Sequence, residues 1–475
     1  MKCMVLLTMV LSGTRASAAG DEQFYVRVSP RDARYFELSN GRPYVPIGLN
    51  MVAPPGGGDL DDMERWFRKL SANRGNYVRI WLSHSFFDIE HARSGEYDEQ
   101  KAKRIDKLLV LARRHNIRLK LCIEHFRHLG EGRQEWAGKP LHHVSHGGPA
   151  KNTADFFDGQ LCREQFKRKL GWYAGRYGDD PIVFGWELWN EINCIQSGDW
   201  KAWTEAMLPE LHRQFPKNLA MQSLGSFDKM AYREWYRWLC GIPSNDVLQV
   251  HRYLDLGAQW EVCHDPVDVL AAKAVRELRA FGVRKPILLA ESGAVEPRHT
   301  GPFKLYEKDT AGIILHDVLF APFFAGAAGP GHCWHWGVYV DRMNLWHHFA
   351  RFAEVVKGLD PAAESFQPVE LTHPRLRILA LKGRNTLLAW CRDRENTWRS
   401  ELAEGHEPQQ IRGASLDLDQ QVDWLDTATL EAYDPWTDKW TTVTVNGNSL
   451  ALPDFSRSIV LRIRKAGSRF FTTPR

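Results

Sequence analysis

Between residues 44 and 340 the chain alternates, eight times over, a short apolar, β-branched or aromatic run with a stretch of helical periodicity. The runs are YVPIGLNM from Tyr44, NYVRIWL from Asn76, IRLKLCIEHF from Ile117, IVFGWELWNE from Ile182, NLAMQSLG from Asn218, DVLQVHRY from Asp246, PILLAESGA from Pro286 and GHCWHWGVYV from Gly331. Such alternation builds a parallel sheet, because each helix returns the chain to start the next strand in the same direction. Eight units in roughly 300 residues predict an α/β fold of the closed (β/α)8 barrel type rather than an open doubly wound sheet. Two helices are explicit: Ala102, Ile105, Leu108, Leu109 and Ala112 share one face, as do Val267, Leu270, Ala274 and Leu278. Asp265 is the expected cap of the second, with Pro266 at its first position. No glycine fingerprint for dinucleotides, phosphate-binding P-loop, G-x-S-x-G elbow or H-E-x-x-H helix occurs.

With 475 residues, one core does not grow unbroken, and a second domain is expected. Helical periodicity stops at GLDPAAESFQP; beyond Leu376 strands alternate, with Ile459, Leu461 and Ile463 on one face against Arg462 and Arg464. Asn446-Gly447 adds a hairpin signal. The expected division is a signal peptide over 1–20, the barrel over 21–357 with an N-terminal hairpin (24–41) under its floor, and a linker with a C-terminal antiparallel β-sandwich over 358–475. YDPWTDKW, from Tyr433, is expected at the interface between the two domains, and His347-His348 on the barrel's outer surface.

The opening MKCMVLLTMVLSGTRASAAG has one Lys, a nine-residue apolar run and small residues at the expected cut, which reads as a leader for a secreted or periplasmic protein. That run is far short of the ~20 residues that span a bilayer, so no membrane anchor is expected. Lys and Arg number 62 against 58 Asp and Glu, without a basic block, so nucleic acid is not an expected partner. The seven cysteines beyond the leader have no C-x-x-C spacing and predict no disulfide framework. Oligomeric state is not legible.

In a barrel the chemistry sits at the carboxyl ends of the strands. The fourth run ends in Asn190-Glu191 and the seventh carries Glu291. Two glutamates brought to one mouth by different strands can split a glycosidic bond, one protonated to assist the leaving oxygen and one ionised to attack the anomeric carbon, at a separation of about 5 Å. Glu187 competes with Glu191 but lies deeper, as a structural carboxylate would. His142, His143 and His146 read as a solvated or substrate-lining loop rather than a metal site.

The phrases WELWNEIN around Glu191, HRY at His251–Tyr253, LAESGA around Glu291, NGRPYVPIGLN from Asn40 and VRIWL around Arg79 resemble the (β/α)8 clan of retaining glycoside hydrolases, family 5 in particular, over residues 36–350. The resemblance implies Glu191 as acid/base and Glu291 as nucleophile. It further implies Asn190 at the sugar 2-hydroxyl, Tyr253 and Arg79 bonded to the nucleophile, His251 in the site wall, and Trp334 or Trp336 as a stacking floor. His125 matches by position, although Glu124 and the long loop after it depart from the pattern. Trp189 is also placed near the site. A carbohydrate substrate, no metal and no cofactor follow. Two other readings stay open: a glycan-binding protein that has lost turnover, and a transglycosylase.

Overall fold

The computed structural model describes residues 21–125, 140–195, 197–418, 421–422, 424–447 and 449–468. The expected leader lies outside them, as does most of the long loop after the third run. Seven strands form ladders: Gly48–Asn50, Tyr77–Trp81, Arg118–His125, Val183–Asn190, Leu219–Met221, Leu248–Asp255 and Ile287–Val295. The first five pair in parallel in chain order, and the sixth pairs in parallel with the seventh. The seam between strands five and six is closed by Asp246 N–H donating to Ala220 O at 2.9 Å, and by Ala220 N–H donating back to the Asp246 carboxylate at 2.8 Å. The result is the expected (β/α)8 barrel.

The eighth run departs from expectation. Only residues 332–334 behave as a strand: His332 and Trp334 bond to strand seven, and Asn50 N–H donates to Cys333 O at 3.0 Å, which closes the barrel onto strand one. From Trp336 to Asp341 the chain winds into a π-helical turn instead. Tyr339 explains the change, because its ring stacks on Tyr306 at 3.9 Å and its hydroxyl donates to Asp309, contacts that an extended strand would carry away from each other.

Below the barrel the expected hairpin is present with a third strand: Val26–Val28, Phe36–Leu38 and Pro43–Tyr44 pair antiparallel, and Phe36 meets Phe184 edge-on at 5.2 Å to plug the floor. The helix expected around Ala102 spans Glu99–Arg114, capped by Asp98. The other spans Val267–Arg279 with Pro266 itself at the cap, one position later than expected, while Asp265 pairs with Lys273 at 2.9 Å.

The C-terminal domain is antiparallel, as expected. Six strands, in the order Gln367–Val369, Leu376–Lys382, Thr386–Asp393, Ser458–Arg464, Thr429–Asp434 and Lys439–Thr442, form the main sheet, with two small sheets opposite. Ile459, Leu461 and Ile463 face the domain's own core, whereas Val460 and Trp390 on the other face join the barrel's hydrophobic cluster. Helix Ile313–Phe324 lies between the domains and is buried all round. Trp436 packs on His316 at 4.5 Å and His348 at 5.7 Å, so YDPWTDKW is an interface element. His348 therefore corrects the surface expectation: His347 is exposed, but its neighbour turns under the C-terminal sheet, where its Nε2 bonds to Ala311 O at 2.8 Å. The seven described cysteines are unpaired, and only Cys194 is exposed. No helix of the described residues is long and apolar enough to cross a membrane.

Candidate active site

The site is organised from below by Arg79, which the second strand points into the barrel with no exposed surface. Its Nε and Nη2 grip both oxygens of Glu187 at 2.7 and 2.9 Å, Nη2 also donates to Asn190 Oδ1 at 2.7 Å, and Nη1 bonds to Glu291. Lys120 from strand three stands 3.4 Å from Glu187. Burial alone would raise Glu187, but Arg79 and Lys120 outweigh it and hold the carboxyl at about 2. Glu187 is thus the structural carboxylate. Burial pulls Lys120 down to about 8, which leaves it mostly charged at neutral pH.

These contacts define an electrostatic asymmetry. Two cations, Arg79 and Lys120, face three carboxyls, Glu187, Glu191 and Glu291, in a space that penalises uncompensated charge. Neutrality is reached when one carboxyl keeps its proton, and Glu191 is the one without a cation in contact. Burial raises both Glu191 and Glu291; Glu191 goes far up because the charge of Glu291 adds to burial, while Arg79 and a hydrogen bond from Tyr253 restrain Glu291. The Tyr253 hydroxyl donates to Glu291 Oε2 at 2.8 Å.

His251 Nδ1 lies 2.8 Å from Glu191 Oε1 and 3.5 Å from Glu291 Oε2. Burial, with the repulsion of Arg79, keeps the ring neutral, so it holds Glu191 in place without a positive charge that would strip its proton. One oxygen of each glutamate and one nitrogen of His251 all lie within 4.8 Å of one another. That spacing could suit a cation, but Arg79 already occupies Glu291. A second cluster of this kind, Glu90, Glu124 and His142, is occupied by Lys169, which contacts both glutamates.

Glu191 ends strand four with φ at +52°, a left-handed conformation that costs a non-glycine residue roughly 1–2 kcal/mol. The turn throws its side chain across the mouth toward His251, where it retains 15% exposure. Asn190 has a fixed orientation: Arg79 only donates, so the amide oxygen faces it and the NH2 end is left for the cavity Asn190 lines.

Above these groups lies an open cavity of about 1040 Å³. Asn190, Glu191, Tyr253, Glu291, Trp334 and Trp336 line it, and Arg79 and His251 support it from beneath. Trp334 and Trp336 meet edge-to-face at 5.6 Å, with Trp81 and Trp66 completing an aromatic wall. Two expectations need correction. Trp189 does not reach the cavity: it packs among Phe156, Phe157 and Trp203 in the helix layer. Adjacent strand residues face opposite ways, so Trp189 and Asn190 could not both enter the mouth. Past Glu187 the ladder to strand five ends, and the Gln222 side chain takes the Trp189 carbonyl at 2.5 Å instead. His125 is near but behind the wall, stacked under Trp81 at 4.9 Å and bonded to Ser83 at 2.6 Å. His143 and His146 of the expected loop are set apart, and His142 is buried against Ser94 at 2.6 Å.

Sequence reasoning missed Trp66, Trp81, Cys194, Asp228, Tyr232 and His299 among the lining residues. Trp81 was legible, two positions past Arg79 and hence on the same strand face. Trp66 comes from helix Leu60–Ala72; the others come from loops and short turns beyond the strands, where periodicity gives no signal.

Residues 40–311 match the family model described as cellulase (glycosyl hydrolase family 5). Mannan endo-1,4-beta-mannosidase 4 of Oryza sativa subsp. japonica is 30% identical over 34% of this chain and 37% of its own length. Mannan endo-1,4-beta-mannosidase 3 of Arabidopsis thaliana is 22% identical over 72% of this chain and 89% of its own. The chain matches only about a third of the length of two rice mannosidases, 37% of mannan endo-1,4-beta-mannosidase 4 and 33% of mannan endo-1,4-beta-mannosidase 3. In fold, it is similar to a glycoside hydrolase family 5 structure from Bacteroides vulgatus, with a TM-score of 0.59, 14% identity and 94% coverage of each chain.

Proposed function

Because the chain belongs to the cellulase family of glycosyl hydrolases, family 5, we propose that it hydrolyses β-1,4-linked mannan or its oligosaccharides with retention of anomeric configuration. Glu291 is the nucleophile and Glu191 the acid/base. A sugar seated against the tryptophan wall presents its anomeric carbon to Glu291. Glu191 gives its proton to the glycosidic oxygen as Glu291 attacks; the C–O bond breaks and a glycosyl ester forms. Glu191, now ionised, takes a proton from water, whose oxygen attacks the same carbon and releases Glu291. General acid assistance contributes about 10²–10⁴ in rate, and the preset Arg79, Tyr253 and His251 contacts supply further stabilisation without reorganising.

The observation that carries this reading is the placement of two carboxylate oxygens within 4.8 Å, with a guanidinium on only one of them. Inverting pairs stand roughly 6.5–9.5 Å apart to admit a water, and retaining pairs about 5 Å. The mannosidase relatives support the choice of mannan. The leader sequence supports action outside the cytoplasm, which N-terminal sequencing of the exported protein, expected to start near residue 21, checks.

The test is incubation with mannan, galactomannan, cellulose and xylan, followed by proton NMR of the first product. New reducing ends from the mannans in the β configuration are expected. First-formed α product overturns the mechanism; preference for cellulose or xylan overturns the substrate. Binding without product would leave a glycan-binding protein, and longer products at high acceptor concentration would identify a transglycosylase.

A further inference from the structure

The half of the cleft beside Glu191 carries a carboxylate the reaction does not use. Asp228 follows strand five on a loop pinned at both ends: its N–H donates to Ser226 O at 2.8 Å, and its carbonyl accepts from Trp260 N–H at 2.9 Å. The half-buried side chain lines the cavity, and no side chain among the described residues donates a hydrogen bond to it. Two bases act on its charge from nearby without donating a hydrogen bond to it. The Lys229 ammonium sits 5.4 Å over the Tyr232 ring, and His299 faces Asp255 at 3.6 Å. A half-buried carboxylate without a side-chain donor can be satisfied by a ligand hydroxyl that meets its accessible part.

Its position says which part of the ligand that is. Glu191 protonates the leaving oxygen, so the leaving sugar rests against the wall that carries Glu191. The same wall holds Cys194, 3.8 Å from Glu191, then Gly225, whose N–H donates to Asn193 at 2.6 Å, and then Asp228. Trp81 stands on strand two, Trp334 and Trp336 on the eighth run and Trp66 on helix Leu60–Ala72, so the mouth has an aromatic side and a hydroxyl-accepting side.

Resting on the mannanase reading, we propose that Asp228 is a specificity residue of the leaving-group subsite, accepting hydrogen bonds from hydroxyls of a neutral sugar. A leaving group without hydroxyls gains nothing from Asp228, and one that bears its own carboxylate is repelled by it.

The test compares β-1,4-mannotetraose with 4-nitrophenyl β-mannoside, whose leaving group offers no sugar hydroxyl. In Asp228→Ala the ratio of kcat/KM for the tetraose to that for the aryl glycoside falls by about tenfold or more, and Asp228→Asn, which keeps one acceptor, lies between. An unchanged ratio overturns the proposal, since a structural role lowers both substrates together. A parent inactive on both substrates defeats the mannanase reading instead. Calorimetric titration with mannotetraose then decides on Asp228 without turnover: in the Glu191→Gln background, weaker binding by Asp228→Ala supports the subsite, and equal or absent binding overturns it.

Discussion

At the scale of single residues, what separates the two glutamates is their company. Glu291 has a guanidinium and a phenol as donors; Glu191 has only a neutral imidazole and a distant thiol. Tyr253→Phe removes a donor to a charged group worth about 1.5–3 kcal/mol, so kcat/KM should fall by roughly ten- to a hundredfold. The sign of its pH effect follows: without the hydroxyl the charged form of Glu291 is less favoured, its pKa rises, and the acid limb of the kcat/KM profile moves to higher pH. An acid limb that stays in place would show that the bond does not tune Glu291. Glu291→Ala should lower kcat by at least about 10³-fold on any substrate the parent cleaves, measured in single turnover. Both glutamates were legible because each breaks an apolar run, Glu191 at the end of the fourth and Glu291 within the seventh. Trp189 was misplaced because run membership alone does not say which face a residue takes where a ladder ends.

At the scale of elements, the strands act as rigid arms whose inward side chains bond across the barrel. Arg79 on strand two reaches Glu187 on strand four, Glu291 on strand seven and Asn190 at the mouth, so one side chain fixes three strands to one another. Glu187→Gln breaks a fully buried pair and should cost about 3–5 kcal/mol at pH 7 by urea denaturation. Held near 2 when folded and near 4.5 when unfolded, Glu187 stabilises the fold above pH 4.5, and that contribution is lost as pH falls toward 2. The gap between parent and variant should therefore narrow in acid; a constant gap would point to packing rather than charge. The strands were legible because their buried runs are short and continuous. The eighth was only half so, since GHCWHWGVYV looks like a strand throughout, and the stacking that winds its second half involves Tyr306, a residue of another loop.

At the scale of the molecule, the two domains share a core. Helix Ile313–Phe324 lies against the barrel on one side and the C-terminal sheet on the other, and Arg392 crosses the junction to Asp317 at 2.9 Å with both side chains buried. Expressed without residues 358–475, the barrel should expose this helix and aggregate; a monodisperse truncated barrel by light scattering would show that the shared core is dispensable. Burial already pushes the Asp317 carboxyl up to about 7 beside the arginine, so in Arg392→Ala it takes up a proton, and loss of the bonds should lower stability by about 1–3 kcal/mol. The change from helical to alternating pattern beyond Lys357 revealed the second domain, but not this sharing, because helix Ile313–Phe324 is apolar on every face and so gives no direction.

The pairing of two cations with three carboxyls, one of them protonated, has a consequence for turnover. When Glu291 becomes an ester its negative charge disappears, and in the same step Glu191 gives up its proton and becomes the anion. The anion shifts a few ångströms sideways, and the barrel interior carries the same sum before and after. No counter-ion has to enter or leave as the enzyme cycles, so hydrolysis of uncharged glycans should be nearly indifferent to added salt.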